Sequence, residues 1–300
     1  MSKKLRANLL LFGVAVIWGF GFVATDKGAD LLEPVTFNAL RMALAGLSLL
    51  PVVWWQECRG QSRRWKEMAI EAKKTHLLGG FLCGIMLFFG AVLQQIGIEQ
   101  GVEAGKAGFI AALYIIFVPL FGVFQRKKIG RLVWLAVAFS TVGLYFLCIQ
   151  GRFRLGPGDA WIIVSSMFYA GHIIVVDCFN QRNDCLKMSL IQFATSAAVC
   201  TFVAALTEHP TFDAVLSCSI PLLYMGIAGS GVAFTMQMLG QRDASPTASS
   251  LILSMESVFA VVGGWLLLGD LLSKRELMGC VMMMVGIVLA QLPQKPETDS

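Results

Sequence analysis

Apolar residues fall in long runs along this chain, and polar residues gather in the short breaks between them. Ten runs can be marked, over residues 8–25, 34–56, 76–98, 105–124, 131–150, 158–179, 187–207, 215–239, 246–268 and 275–292. Each approaches the roughly 20 apolar residues that a helix needs to cross the hydrocarbon of a bilayer. The period-two alternation of a membrane strand is absent, so the runs predict helices, whose backbone groups bond within the segment. The expected class is an all-α membrane protein with ten transmembrane helices.

The runs divide into two sets of five. In the fifth run of each set, WLAVAFSTVGL from Trp134 to Leu144 aligns with LMGCVMMMVGI from Leu277 to Ile287 at a constant offset of 143, which puts Val142-Gly143 on Val285-Gly286. A polar joint, GRFRLGPGD from Gly151 to Asp159, separates the sets. The expected domains are therefore a five-helix repeat over residues 1–150 and a second over 157–293. Because five is odd, the second set enters the membrane upside down relative to the first. Inverted repeats of this kind belong to carriers that alternate a midplane site between two faces.

Composition agrees with the pattern. The chain is 56% hydrophobic and 14% charged, with mean hydropathy +0.70, where a soluble domain has about 45–50% apolar and about 25% charged residues. Charge then sets orientation. With the N-terminus inside, 17 Lys and Arg fall on the inner side and 6 on the outer, with Arg41 inside span two. The bias is 13 to 2 through span four and 4 to 4 in the second half, so the first half directs the topology. Both termini are expected in the cytoplasm and the protein in the cytoplasmic membrane. The net charge of +5 is spread over the loops and predicts no nucleic-acid partner. Lys3, Lys4 and Arg6 before an apolar run imitate a secretory signal. The run is too long and bulky, with Trp18-Gly19-Phe20-Gly21-Phe22, and reads as an uncleaved first helix. Eight cysteines without a C-x-x-C predict neither a disulfide framework nor a metal site.

Ionisable and polar groups inside the bilayer are costly and need partners or a purpose. Glu256 lies about 15 Å into span nine at the rise of a helix, near the midplane and beyond snorkelling reach. It reads either as a proton or cation site, or as a neutral acid holding two helices together. In span six, Trp161, Ser165, Tyr169 and His172 share one helix face, which suits a cavity wall better than lipid. His172 and Glu256 differ in depth by only about 6 Å, so they can face each other. Gln94 and Gln95 close span three, Gln237 and Gln241 close span eight, and Trp18, Phe22 and Thr25 form a stripe on span one. Arg41 shares a face with Asn38 and is expected chiefly to snorkel outward or to pair with Asp26 or Glu33, with substrate binding as the alternative. Gly80/Gly84, Gly97/Gly101, Gly101/Gly105 and the MGIAGSG run at Met225–Gly231 predict close helix packing, with a hinge as the alternative. The expected substrate-binding set is Trp18, Gln94, Tyr169, His172, Gln237 and Glu256, meeting in one central space between the halves.

Several stretches resemble the EamA-like branch of the drug/metabolite transporter superfamily. They are Trp18-Gly19, Pro34 and Arg41; LQQIGIEQGVEAGKAGFIAALYIIFVPL from Leu93 to Leu120; and GDAWIIVSSMFYAGHIIV from Gly158. The resemblance covers essentially the whole chain. It implies ten helices in two inverted repeats, cytoplasmic termini, and export or exchange of small organic molecules. The family often places Glu-Pro in the fourth helix of a repeat. Here the proline of the first half, Pro119, follows Val118, and the acid of the second half, Glu256, precedes Ser257.

No His-Glu-x-x-His, phosphate loop or nucleophile elbow is present. The chain is therefore expected to be no enzyme and to need no cofactor. The leading expectation is a secondary transporter exporting small organic metabolites such as amino acids, with the solute and the lipid bilayer as its partners. The alternative is an integral-membrane enzyme or assembly factor with a lipid-facing groove, which would turn Glu256 or His172 toward lipid.

Overall fold

A computed structural model describes residues 2–102, 104–126, 129–149, 155–181, 183–268 and 273–292. The outer limits of the expected domains, Met1, Gln150 and Pro293, lie outside the described residues. The described residues are helical throughout. α1 is Lys3–Ala29, α2 Pro34–Cys58 and α3 Ile70–Glu99. The fourth run is two helices, α4 Ala104–Ala111 and α5 Tyr114–Phe124, followed by α6 Arg131–Cys148. The second set opens with α7 Pro157–Asn180 and α8 Cys185–Thr207. The eighth run is composite: α9 Phe212–Ser217, α10 Ser219–Leu223, a π-helical segment Tyr224–Val232, and α11 Ala233–Gln241. The ninth is again split, into α12 Pro246–Leu253 and α13 Glu256–Leu268, and α14 Lys274–Gln291 ends the order.

Nine spans among the described residues are long and apolar enough to cross a membrane. α14 is also 18 residues long, but it opens on Lys274, Arg275 and Glu276. Local chemistry sets the ends. Pro34, Pro157 and Pro246 occupy first turns, where the missing N–H is no loss. Asp184 caps α8 by accepting from Leu186 N–H at 3.0 Å, and Ser273 with Glu276 forms a capping box on α14.

The two sets pack on each other along their whole length: α1 on α11 and α13, α2 on α8, α3 on α7, and α6 on α14. The α6–α14 contact follows the repeat. A side chain at Gly143 would lie 2.8 Å from the Gly279 carbonyl oxygen, and one at Gly286 would lie 2.8 Å from that of Ala136. The helices therefore cross antiparallel with glycine at both near points, the close approach that small residues permit. The α2–α8 contact is closed alike at both ends. The Glu208 carboxylate accepts from Val35 N–H at 2.8 Å and Thr36 N–H at 2.6 Å. At the other end Lys187 pairs with Glu57 at 2.7 Å.

The breaks in the fourth and ninth runs have one geometry. Leu113 N–H donates to Ile110 and Ile115 N–H to Ala112; Met255 N–H donates to Ile252 and Ser257 N–H to Ser254. Each is an i to i−3 bond, so the α ladder tightens at both places. The Ser254 hydroxyl also donates to the Leu251 carbonyl at 2.8 Å, side-chain competition of the kind that bends helices. Pro119 deprives the Ile115 carbonyl of a partner one turn beyond the first break. The second break forms without any proline, so separating proline from acid between the halves does not straighten the ninth run.

Candidate functional site

A cavity lies between the two sets of helices. All six residues of the expected binding set line it: Trp18 from α1, Gln94 from α3, Tyr169 and His172 from α7, Gln237 from α11, and Glu256 from α13. Aromatic and apolar walls are completed by Phe22, Ala91, Ile173, Met225 and Phe234. Helix geometry makes this meeting possible. The stripe of Trp18, Phe22 and Thr25 on α1 faces the cavity as a unit, because spacings of three and four keep one face.

Most polar groups of the wall have a definite partner. Trp18 Nε1 donates to the Gly229 carbonyl at 2.7 Å, inside the π segment, and the indole packs edge-on to Phe234 at 4.9 Å. A π ladder of i to i−5 bonds leaves carbonyls free for such use, which is why these segments recur at functional sites. Tyr169 Oη donates to Gln94 Oε1 at 2.8 Å, joining α7 to α3. His172 Nε2 lies 3.0 Å from Gln192 Oε1 on α8, and it makes no bond to Glu256. Gln237 Nε2 donates to Gln241 Oε1 at 2.9 Å, and Gln241 Nε2 to the Ile173 carbonyl at 3.1 Å. Gln237 Oε1 is buried and has no protein partner.

At the two helix breaks the site shows its symmetry. Tyr114, the first residue of α5, donates from Oη to Glu256 Oε1 at 3.1 Å, and Glu256 is the first residue of α13. The two positions differ by 142, as do the breaks at Ala112 and Ser254. Equivalent points of the two halves thus touch across the cavity. Tyr114 was not picked out by sequence reasoning. The signal was present: shifting Glu256 back by nearly the repeat offset lands on Tyr114.

Three expectations are corrected. Trp161 does not join the cavity wall and is 43% exposed. It sits in the first turns of α7, two to three turns before Tyr169 and His172, where the cavity does not reach. Ser165 is buried and donates to the Gly90 carbonyl at 2.6 Å, so it packs α7 on α3. Arg41 does not pair with Glu33, which accepts instead from His209 N–H at 3.0 Å; the side chain of Asp26 lies outside the described residues. Arg41 lines the cavity. Its Nε donates to Ser230 Oγ at 2.9 Å and its Nη1 to Asn38 Oδ1 at 3.4 Å. The eight cysteines are free thiols, and among the described residues no cluster of His, Cys, Asp and Glu has a metal-binding arrangement.

Comparison with known proteins agrees with the architecture. The model of the EamA-like transporter family matches twice, over residues 5–149 and 156–292. An uncharacterized transporter of Archaeoglobus fulgidus is 25% identical over 97% of this chain and 87% of its own length. A protein of Chlamydia muridarum named as an S-adenosylmethionine/S-adenosylhomocysteine transporter is 24% identical over 93% of this chain and 90% of its own. A crystal structure with 17% sequence identity superposes with a TM-score of 0.75, covering 95% of this chain and 96% of that one, and shares the fold.

Proposed function

Because the chain belongs to the EamA-like transporter family, we propose that it exports small amphipathic metabolites, amino acids among them, by alternating access around this cavity. The transporter role is general to its relatives; the cargo, the direction and the binding residues are the proposal. The observation that carries it is the convergence of Trp18, Gln94, Tyr169, His172, Gln237 and Glu256 on one cavity between helices that pack half against half. Mixed aromatic and polar walls hold an organic body and orient its polar end. Discontinuous helices meeting near the midplane are the usual substrate and ion sites of inverted-repeat carriers. The Chlamydia muridarum relative is named for solutes that join an amino acid to an aromatic base, a chemistry these walls suit.

Both termini are assigned to the cytoplasm and the protein to the cytoplasmic membrane, on the basic-residue asymmetry. Glu256 is assigned proton exchange during the cycle. Its surroundings on the cavity include Tyr114, Tyr169, His172 and Arg41, and its hydroxyl donor Tyr114 comes from the opposite half. Glu256 and His172 are both buried on the internal cavity wall, which favours a carrier over an enzyme with a lipid-facing groove. No catalytic role is assigned to any residue.

The test has two arms. Cells with and without the chain are compared for exported metabolites across the whole small-molecule pool; equal profiles would remove the export reading. In proteoliposomes, Glu256→Gln should insert normally and lose the response of flux to an imposed pH gradient. Full gradient-driven flux in that variant would remove the proton role. His172→Ala serves as the companion, since its imidazole lines the same cavity as Glu256.

A further inference from the structure

We infer that Arg41 is the anion subsite of this cavity and that it binds the carboxylate of the transported solute; the inference rests on the cavity being the transport site. Arg41 is 7% exposed and lies about 10 Å below the end of its span by the helical rise, so its charge sits at membrane depth. A charge there ordinarily has an opposite charge beside it. Arg41 makes no ion pair among the described residues: its hydrogen-bond partners are the neutral Ser230 and Asn38. A guanidinium has five N–H donors, and these two partners engage two of them. No nitrogen of Arg41 appears among the sealed, unpartnered polar atoms, a group that does contain Arg275 Nε. Its Nη2 is thus neither partnered nor sealed, which leaves donors accessible on a residue that lines the cavity.

The two neutral partners act as positioning residues. Asn38 Nδ2 is itself tied to the Pro34 carbonyl at 2.9 Å, so its oxygen is held toward Arg41. Ser230 belongs to the π segment, whose neighbouring Gly229 carbonyl receives Trp18. Arginine and indole are thus fixed by adjacent residues of one irregular segment. This aims the guanidinium at a planar anion, for which its fork geometry is suited. One guanidinium fits a single carboxylate better than a multiply charged phosphate. The aromatic groups that line the same cavity, Trp18, Phe22, Tyr169 and Phe234, fit an apolar or aromatic remainder. The substrate class is a monocarboxylate with such a body, and amino acids with large side chains belong to it.

The experiment measures stabilisation of the purified full chain in detergent by a panel of the proteinogenic amino acids, their carboxamides, and their decarboxylated amines. At least one large amino acid should raise the melting temperature, and its carboxamide should bind about tenfold to a hundredfold more weakly, the worth of a charge-assisted hydrogen bond. Arg41→Gln should reduce binding of the acid by a similar factor and leave the carboxamide unchanged. The acid-against-carboxamide comparison uses the unmodified protein, so it stands even if Arg41→Gln fails to fold. Acid and carboxamide binding equally well, or Arg41→Gln weakening both alike, would overturn the anion subsite while leaving the cavity as the transport site. No stabilisation by any carboxylate in the panel would overturn the anion subsite, and equal export profiles with and without the chain would overturn the transport site.

Discussion

Two buried side chains make the most direct tests at the level of single residues. Lys187 has a side chain 5% exposed and pairs with Glu57, 21% exposed, at 2.7 Å. Ser62 Oγ also accepts from its ammonium at 2.7 Å. Removing one member of a buried pair leaves the other charge uncompensated, at a cost of up to about 3 kcal/mol. Lys187→Met should therefore lower the melting temperature in detergent clearly, and Lys187→Met with Glu57→Leu should recover much of the loss. Equal losses in the single and double variants would show that the pair contributes little. Tyr114→Phe is the milder case. It deletes the donation to Glu256 and should cost about 0.5–1.5 kcal/mol, the net worth of one hydrogen bond, while the gradient response of transport changes as well. A stability loss with unaltered transport would confine Tyr114 to a structural role. Tyr114 also marks a limit of sequence reading. Polar residues at membrane depth such as Glu256, His172 and Gln237 stand out in the sequence, whereas tyrosine is common at membrane interfaces and attracts no notice until the helix breaks, 142 residues apart, are aligned. For Arg41, nearness along the chain suggests Glu33, but the carboxylate of Glu33 accepts from His209 N–H instead, while the face shared with Asn38 does supply a partner.

Elements were more legible than their interruptions. Nine of the ten apolar runs correspond to spans that fit the thickness of a bilayer, since length and hydropathy decide that question. The breaks at Ala112–Leu113 and Ser254–Met255 were invisible to hydropathy, because a change from i−4 to i−3 bonding alters no side chain's polarity. The π segment was flagged only as MGIAGSG, and small residues signal close packing whether the ladder is α or π. The glycine match between the fifth helices is the element whose prediction is sharpest. At Gly143 a side chain would meet the Gly279 carbonyl oxygen at 2.8 Å and Met283 N at 2.9 Å. Backbone atoms cannot give way as side-chain ends do, so overpacking costs typically about 1–3 kcal/mol. Gly143→Leu should destabilise α6 against α14, seen as a lower melting temperature and as loss of intact protein after mild proteolysis. Gly46→Leu is the control, since a Cβ there meets only the Phe193 Cβ, at 3.8 Å. If both variants melt alike, the α6–α14 seam is not the close contact described.

At the scale of the molecule the inverted arrangement makes a claim about sidedness that the internal packing alone does not contain. Half packs on half in every principal contact, and Tyr114 meets Glu256 at equivalent points. That pattern fixes the relation between the halves. The direction of the whole in the membrane comes from the 17-to-6 distribution of basic residues, most of it in the first half. The prediction is that tags at Ser2 and Ser300 both report the cytoplasm and that Gly156→Cys, in an exposed joint, labels from outside intact cells with a membrane-impermeant maleimide. The chain supplies its own controls. Cys58 and Cys178 are exposed and lie near the ends of α2 and α7 opposite to Gly156, so they should label only after permeabilisation. Replacing both by serine before introducing Gly156→Cys removes any background. A C-terminus reporting the outside would mean an odd number of crossings and would place α14, with its three charged residues in the first turn, along the membrane rather than through it. The antiparallel crossing of α14 on α6 argues against that result. A helix packed antiparallel along a membrane span through glycines at both near points lies on nearly the same axis as that span, and so traverses the bilayer in the opposite sense.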